Sequence, residues 1–198
     1  MYIPAHNALT EEAPLWDLMR EFNFAVLITA PNGIPFATSI PFTPIKETRK
    51  LTAHVARANP QWQHFETAKE VLVVFQAEHA LISSRWYEKH PNVPTWNYAT
   101  VHVYGLPRLL NAEETRAQLT ALMEHHGHGT DMNALSEKYK TGMQNELVGF
   151  EIDVTRIEGK FKLSQNRSKQ DQKNLIAKLE EQGELERGIA DRMKKLQS

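Results

Sequence analysis

The residues of this chain best suited to chemistry fall in a few short stretches. Arg57 stands where an apolar run, Leu51 to Ala56, gives way to Asn59-Pro60, the pattern of an N-cap followed by proline at the first helical position. A guanidinium matches phosphate oxygens in pairs, and a helix start adds oriented N–H groups. A plain surface arginine fits the same position, and the motif alone does not choose between them. Trp96, Asn97 and Tyr98 close a proline-containing aromatic loop, Ser83 to Trp96. Their bodies suit a core, a subunit interface or the wall of a ligand site. Thr38 and Ser39 put two hydroxyls on a hairpin strand, and Lys160, Lys162, Gln165 and Asn166 put cations and amides at a late strand end. An exposed basic edge has the same composition. His125-His126-Gly127-His128 raises the question of a metal, but no acidic residue or cysteine accompanies it at a familiar spacing, and histidines at a helix C-terminus are favoured by the dipole alone.

These side chains need a scaffold, and composition bounds it. A chain of 198 residues suits one domain, or one domain with an appended helical piece. With 41% hydrophobic and 24% charged residues it can bury a core. Having no cysteine, it can form no disulfide, thiolate metal site or cysteine nucleophile, and it fits a reducing cytosol. Met1 to Met19 lacks a basic stretch followed by an apolar one, so no signal peptide is expected, and the glycosylation pattern Asn166-Arg167-Ser168 then carries no weight. No apolar run approaches the ~20 residues that span a bilayer. A formal net charge of −1 is not the footprint of a strong nucleic-acid binder.

Periodicity supplies the elements. Thr10 caps a short helix with Leu15, Leu18, Met19 and Phe22 at helical spacing and Pro14 near its start. Phe24 to Ala30 reads as a buried strand, Pro31-Asn32-Gly33 as a turn and Phe36 to Phe42 as the returning arm. Leu51 to Ala56 and Val71 to Ile82 are further strands, with a helix from Asn59-Pro60 through Phe65 between them. Tyr98 to Leu110 is a strand with a bulge expected at Gly105. Asn111 and Glu114 form a capping pair for a helix to about His126, and Met132 to Tyr139 is a second short helix. Leu147 to Leu163 makes one or two long strands bent at Gly159. Ser168 and Asp171 cap a helix carrying Leu175, Ile176 and Leu179. Gly183 breaks it before a last amphipathic segment with Leu185, Ile189, Met193 and Leu196. The order predicts an α+β fold on an antiparallel sheet, and roughly six hairpin-connected strands tend to close into a barrel.

Four stretches resemble the PaiB family: Met1-Tyr2-Ile3-Pro4, HVARANPQW from His54 to Trp62, HPNVPTWNYATVHVYG from His90 to Gly105, and VGFEIDVTRIEGKFKLSQNRS from Val148 to Ser168. They stand in the right order and, with the strands between them, cover the chain to about Glu180. The resemblance implies an FMN-binding split β-barrel with flanking helices and a C-terminal helical segment. Residues 1–167 would form the barrel domain, with inserted helices at about 111–140, and residues 168–198 an extension packed on the barrel or on a dimer partner. It further implies a cytoplasmic homodimer, with FMN in a cleft between subunits and no membrane association. Related split barrels include pyridoxamine phosphate oxidases, flavin reductases and a haem-degrading group.

On that resemblance Arg57 holds the phosphate, while His54, Val55 and Ala56 follow the flavin edge with their backbone. Thr38 and Ser39 offer hydroxyls, Trp96 covers a ring face, Asn97 bonds a ring carbonyl and Tyr98 stands beside them. Lys160, Gln165 and Asn166, and with less support Lys162, reach the flavin from the second subunit. The chain departs from the family's A-T-H-x-P pattern, because Ala37-Thr38-Ser39-Ile40-Pro41 has serine in place of the histidine. A family activity that needs that imidazole would be impaired here. The function implied is negative transcriptional regulation. The alternative is an FMN-dependent oxidoreductase of flavin-reductase type, with His54, His102 or Tyr98 as proton donor, and a haem-binding or haem-degrading role stands third. The chain shows no helix-turn-helix pattern. Its C-terminal cations interleave with Glu180, Glu181, Glu184, Glu186 and Asp191, so a protein partner stands beside DNA as the regulatory target.

Overall fold

Strand pairing organises the computed structural model, which describes residues 1–126 and 136–197. Its strands are β1 (Ala8–Leu9), β2 (Phe24–Thr29), β3 (Phe36–Pro41), β4 (Thr43–Ile45), β5 (Lys50–Ala56), β6 (Val71–Ile82), β7 (Thr95–Leu109) and β8 (Leu147–Lys162). They form one eight-stranded sheet in the order β3-β2-β6-β7-β8-β5-β4, with β1 on β8. The helices are α1 (Glu12–Glu21), α2 (Ala112–His126), α3 (Glu137–Asn145), α4 (Lys169–Glu180) and α5 (Glu184–Lys195). The α+β architecture on an antiparallel sheet is the expected one. The short strands β1 and β4 were not expected, since two or three residues show no periodicity.

The chain divides into two compact units, and β6, β7 and β8 contribute to both. The first comprises residues 1–15, 76–101 and 158–198. Here β1 pairs with β8 at Ala8↔Lys160 and Leu9↔Gly159. A Cβ on Gly159 would stand 2.2 Å from Leu15 Cδ2, so the glycine admits a side chain where a bend was expected. Ser168 Oγ accepts from Asp171 N at 3.0 Å, the expected cap of α4. Leu175 and Leu179 of α4 are buried, as are Ile189, Ala190 and Met193 of α5. Arg192 and Glu78 form a largely buried ion pair at 2.6 Å.

The second unit comprises residues 16–75 and 102–157. Asn32 and Gly33 take φ of 53° and 81°, which reverses the chain between β2 and β3. The hairpin pairs from Phe24↔Pro41 to Thr29↔Phe36. Strand β5 pairs with β8 from Lys50↔Asp153 to Ala56↔Leu147, and β4 covers only Lys50 to Thr52 on the other edge. Inside, Phe150 meets Phe42 and Phe65 with ring centroids 6.2 and 5.0 Å apart, and Phe42 meets Phe75 at 5.8 Å. Strand β7 continues through Gly105, where a bulge was expected. The missing side chain lets the backbone of β8 approach there. Asn111 and Glu114 exchange backbone-to-side-chain bonds at 2.8 and 2.9 Å, the capping pair expected for α2. Helix α3, Glu137–Asn145, overlaps the end of the helix expected from Met132 to Tyr139, and Met132 itself lies outside the described residues.

Candidate functional site

The corner after β5 carries most of the candidate residues of the second unit. His54 lies opposite Gly149 and Val55 opposite Val148. Alternation buries the Val55 side chain and exposes Ala56, so these two offer backbone rather than side-chain chemistry. His54 is half-buried. Burial pushes its imidazole below the ordinary histidine value, opposed by the neighbouring Gln118 amide of α2.

Arg57 is exposed, and its guanidinium is partly occupied. Nε donates to the Asn145 carbonyl at 2.5 Å and Nη2 to the Leu147 carbonyl at 2.8 Å. Both acceptors sit where α3 ends and β8 begins, so the side chain is held rather than free to swing. Among the described residues Nη1 has no partner, leaving donors for a ligand. Arg57, Trp62, Thr115, Arg116 and Gln144 are among the residues lining a groove of about 410 Å³. The indole of Trp62 is itself fixed, donating to the Arg57 carbonyl at 3.1 Å.

Asn59 caps the following turn, accepting from Gln61 N at 3.0 Å with Pro60 behind it. The expected helix is a 3-10 turn, Pro60–Glu66, because Gln61 is drawn into the barrel interior. Its amide, fully buried, donates to the carbonyls of Leu27 (3.1 Å) and Phe36 (3.3 Å) and to Thr29 Oγ1 (3.3 Å). Thr29 Oγ1 lies 2.8 Å from His64 Nδ1, and the His64 ring meets the Phe36 ring edge-on at 5.3 Å. Asn59 Nδ2 donates to Thr38 Oγ1 at 3.0 Å. Strands β3 and β5 lie near opposite ends of the strand order, so this bond helps bring the ends of the second unit's sheet together. Thr38 is half-buried and Ser39 exposed, because neighbours on a strand point to opposite faces. The two hydroxyls therefore do not share a face.

In the first unit, Trp96 is half exposed, with its ring 5.7 Å from that of His79. Asn97 is fully buried: its Oδ1 accepts from Ser164 Oγ at 3.1 Å and its Nδ2 faces Met193 Sδ at 3.7 Å. Tyr98 lies under the Lys160 ammonium, 5.4 Å from the ring centroid, and Tyr2 lies 5.7 Å from the same ammonium. Lys162 donates to the Trp96 carbonyl at 2.7 Å and to Thr95 Oγ1. Burial, with Lys160 and Arg167 nearby, holds its ammonium below the usual lysine value. Gln165 is used locally, accepting from Leu163 N at 2.7 Å and donating to the Phe161 carbonyl. Asn166 is exposed.

Sequence reasoning missed the interior amides Asn59 and Gln61 as organisers, although Asn59-Pro60 signalled the cap. It also missed the ion network of the second unit. There one oxygen of buried Glu151 accepts from Lys50 Nζ at 2.7 Å and Arg108 Nε at 2.9 Å, while Arg108 also reaches Glu114 at 2.9 Å. Lys50 and Arg108 lie 101 and 43 positions from Glu151, and alternating charge on strands does not announce such pairs. Among the described residues, no group of three metal-ligating side chains is gathered. His128, of the histidine cluster, lies outside the described residues.

Comparison with known proteins adds to this geometry. Residues 1–156 match the family "Putative FMN-binding domain". The chain is 39% identical over 186 residues to a Bacillus subtilis protein named Protease synthase and sporulation protein PAI 2, covering 91% of this chain and 89% of that one. Among solved structures it resembles the FAD and heme binding protein from Mycobacterium smegmatis, with a TM-score of 0.63 and 16% identity over 79% of this chain and 73% of that one. It also resembles the flavocytochrome Anf3 from Azotobacter vinelandii, with a TM-score of 0.60 and 13% identity over 81% and 72% of the two chains. At such identities the structural likeness speaks for the fold alone.

Proposed function

The chain belongs to the PaiB-type family of FMN-binding split-barrel proteins, and from that membership we propose that it holds FMN with Arg57 as the phosphate anchor. The observation that carries this is the state of the Arg57 side chain. Two carbonyls fix its guanidinium at the mouth of a groove while Nη1 keeps its donors. A pre-positioned planar cation binds a phosphate with less entropy to lose than a mobile one. Beyond Thr52 the strand order gives β5 no neighbour on its β4 side, which leaves backbone groups of His54 and Val55 for polar ring atoms, while the Ala56 carbonyl already accepts from Asn59 N at 2.9 Å. We assign the Thr38 hydroxyl of β3 to the same ligand as a donor, and leave out Ser39, which points to the other face of the strand.

In a homodimer, Lys160, Gln165 and Asn166 would come from the second subunit, with Trp96 and Tyr98 as aromatic walls. Asn97 serves by holding its loop, since its amide is already committed to Ser164 and Met193. Bound flavin supplies reversible electron transfer, while the chain binds it, orients it and shields it from water. FMN rather than a dinucleotide is the form that the family name supports.

The biological role we propose is regulatory, in line with the relative named for protease synthesis and sporulation. Contact with a protein is favoured over contact with DNA. Several C-terminal cations are spent on acids: Lys178 on Glu181 at 2.8 Å, Lys194 on Glu180 and Arg192 on Glu78. Phosphate-backbone binding needs cations that can replace counterions. A cysteine-free chain accords with the cytoplasm as its setting.

Titration of the apoprotein with FMN and with riboflavin tests the anchor. Arg57→Ala is expected to weaken FMN binding about tenfold or more, as loss of a charge-assisted bond does, and to leave riboflavin binding unchanged. Equal FMN affinity in the variant would remove the anchor. Anaerobic NADPH bleaching the flavin bands would favour the oxidoreductase reading over the regulatory one.

A further inference from the structure

We propose that Asn59 is a positioning residue of the flavin site: its amide occupies a lone pair of Thr38 Oγ1 and so leaves the Thr38 proton to be donated to the cofactor. This rests on the FMN reading above.

The polarity follows from the bonds on both ends of the amide. Asn59 caps the turn by accepting from Gln61 N at 3.0 Å, which only its oxygen can do. The nitrogen is therefore the atom 3.0 Å from Thr38 Oγ1, and there it can only donate. A hydroxyl has one proton and two lone pairs. With one lone pair taken by Asn59, the proton and one lone pair remain, and among the described residues nothing receives the proton. Thr38 is half-buried, so the proton is presented at an accessible edge of β3 rather than sealed in the core. Register adds a second constraint. Thr38 is paired with Leu27, whose carbonyl receives the Gln61 amide, so the same short turn fixes the hydroxyl and the strand beside it. An acceptor that reaches Thr38 therefore finds a proton not spent within the chain. A bound flavin offers two kinds, the phosphate oxygens and the carbonyl and nitrogen acceptors of the ring.

Asn59→Asp reverses the polarity with little change of shape. Aspartate caps as well as asparagine, so one carboxylate oxygen keeps the Gln61 N–H. The other can only accept, and it draws the Thr38 proton inward. Apoproteins of the wild type, Thr38→Val, Thr38→Ser, Asn59→Asp and the Thr38→Val/Asn59→Asp double variant are titrated with FMN and with riboflavin by flavin fluorescence, after thermal melts confirm folding. Thr38→Val and Asn59→Asp are each expected to weaken FMN binding about tenfold, the worth of one good hydrogen bond. Thr38→Ser is expected to bind like the wild type. Adding Asn59→Asp to Thr38→Val is expected to cost little more, because no hydroxyl is left to redirect.

A loss shared by FMN and riboflavin places the acceptor on the ring, and a loss confined to FMN places it on the phosphate. Both support the proposal. Wild-type affinity in Thr38→Val or in Asn59→Asp overturns it. So does an Asn59→Asp penalty of equal size with and without the Thr38 hydroxyl, which would be a charge effect. If Asn59→Asp does not fold, Thr38→Val against Thr38→Ser decides. A wild type that binds neither flavin overturns the FMN reading itself, and this proposal with it. A wild type that binds while all variants match it overturns this proposal alone.

Discussion

A Cβ on Gly105 would stand 2.4 Å from the carbonyl oxygen of Asp153 and 2.5 Å from Ile152 Cγ2. Backbone cannot step aside as a side-chain tip can. Gly105→Ala is therefore expected to destabilise the protein by about 2 kcal/mol, as overpacking does. Gly142 of α3 has nothing within 4 Å of such a Cβ, and Gly142→Ala is expected to stabilise by about 0.5–1 kcal/mol. Urea unfolding of the two variants beside the wild type checks both signs.

Arg192 and Glu78 are 11% and 14% exposed, and their charges meet at 2.6 Å. Removing one partner leaves the other without its main compensation. Arg192→Ala is expected to cost about 3 kcal/mol, whereas Arg192→Met with Glu78→Leu should recover much of that. Chemical denaturation of the single and double variants measures the difference.

His54 gives the fold a pH dependence on the mildly acidic side. Its folded-state value is lowered from 6.5, so the native state resists protonation and the unfolded state does not. That contribution is complete above about 6.5 and is lost as the pH falls toward the lowered value. Stability is expected to decline between pH 7.5 and 5.5, and His54→Gln is expected to decline less. Denaturant midpoints at the two values decide it. Equal declines would show that other groups carry the effect.

Glu151 acts at lower pH. Burial alone would raise its carboxyl, but Arg108 and Lys50 outweigh burial and hold it below 4.5. Its stabilisation is present above that unfolded value and disappears as the pH falls through the lower folded one. With Arg108 and Lys50 partly open to solvent, Glu151→Gln is expected to cost about 1 kcal/mol at pH 7. The gap to the wild type should close as the pH falls below about 4, which acid titration of both proteins would record.

What could be read from the sequence was mainly local. The Asn111–Glu114 and Ser168–Asp171 caps span three residues each, and side chains at that spacing meet by helix geometry alone. Strand β6 was legible end to end, because Val71 to Ile82 is bounded by polar residues and rich in β-branched ones. The candidate site was less legible. Its organising contacts join Thr38 to Asn59 and Arg57 to Asn145, residues 21 and 88 positions apart. Period-two alternation separates Thr38 from Ser39, yet nothing in the pattern says which of them a distant amide will choose. The 3-10 form of Pro60–Glu66 follows from the burial of Gln61, a tertiary event that local propensity does not contain.

The contact of Thr29 with His64 limits the reactivity of that imidazole. Thr29 Oγ1 lies 2.8 Å from Nδ1 and also receives the Gln61 amide, so Nδ1 is engaged by the hydroxyl in either tautomer of the ring. That nitrogen is thus occupied within the fold, while His64 also lines a groove together with Lys69 and Glu70. With Nδ1 so engaged, an electrophile or a metal can reach the ring only through Nε2. An acylating reagent should modify it slowly among the chain's nine histidines, and faster once Thr29→Val frees Nδ1.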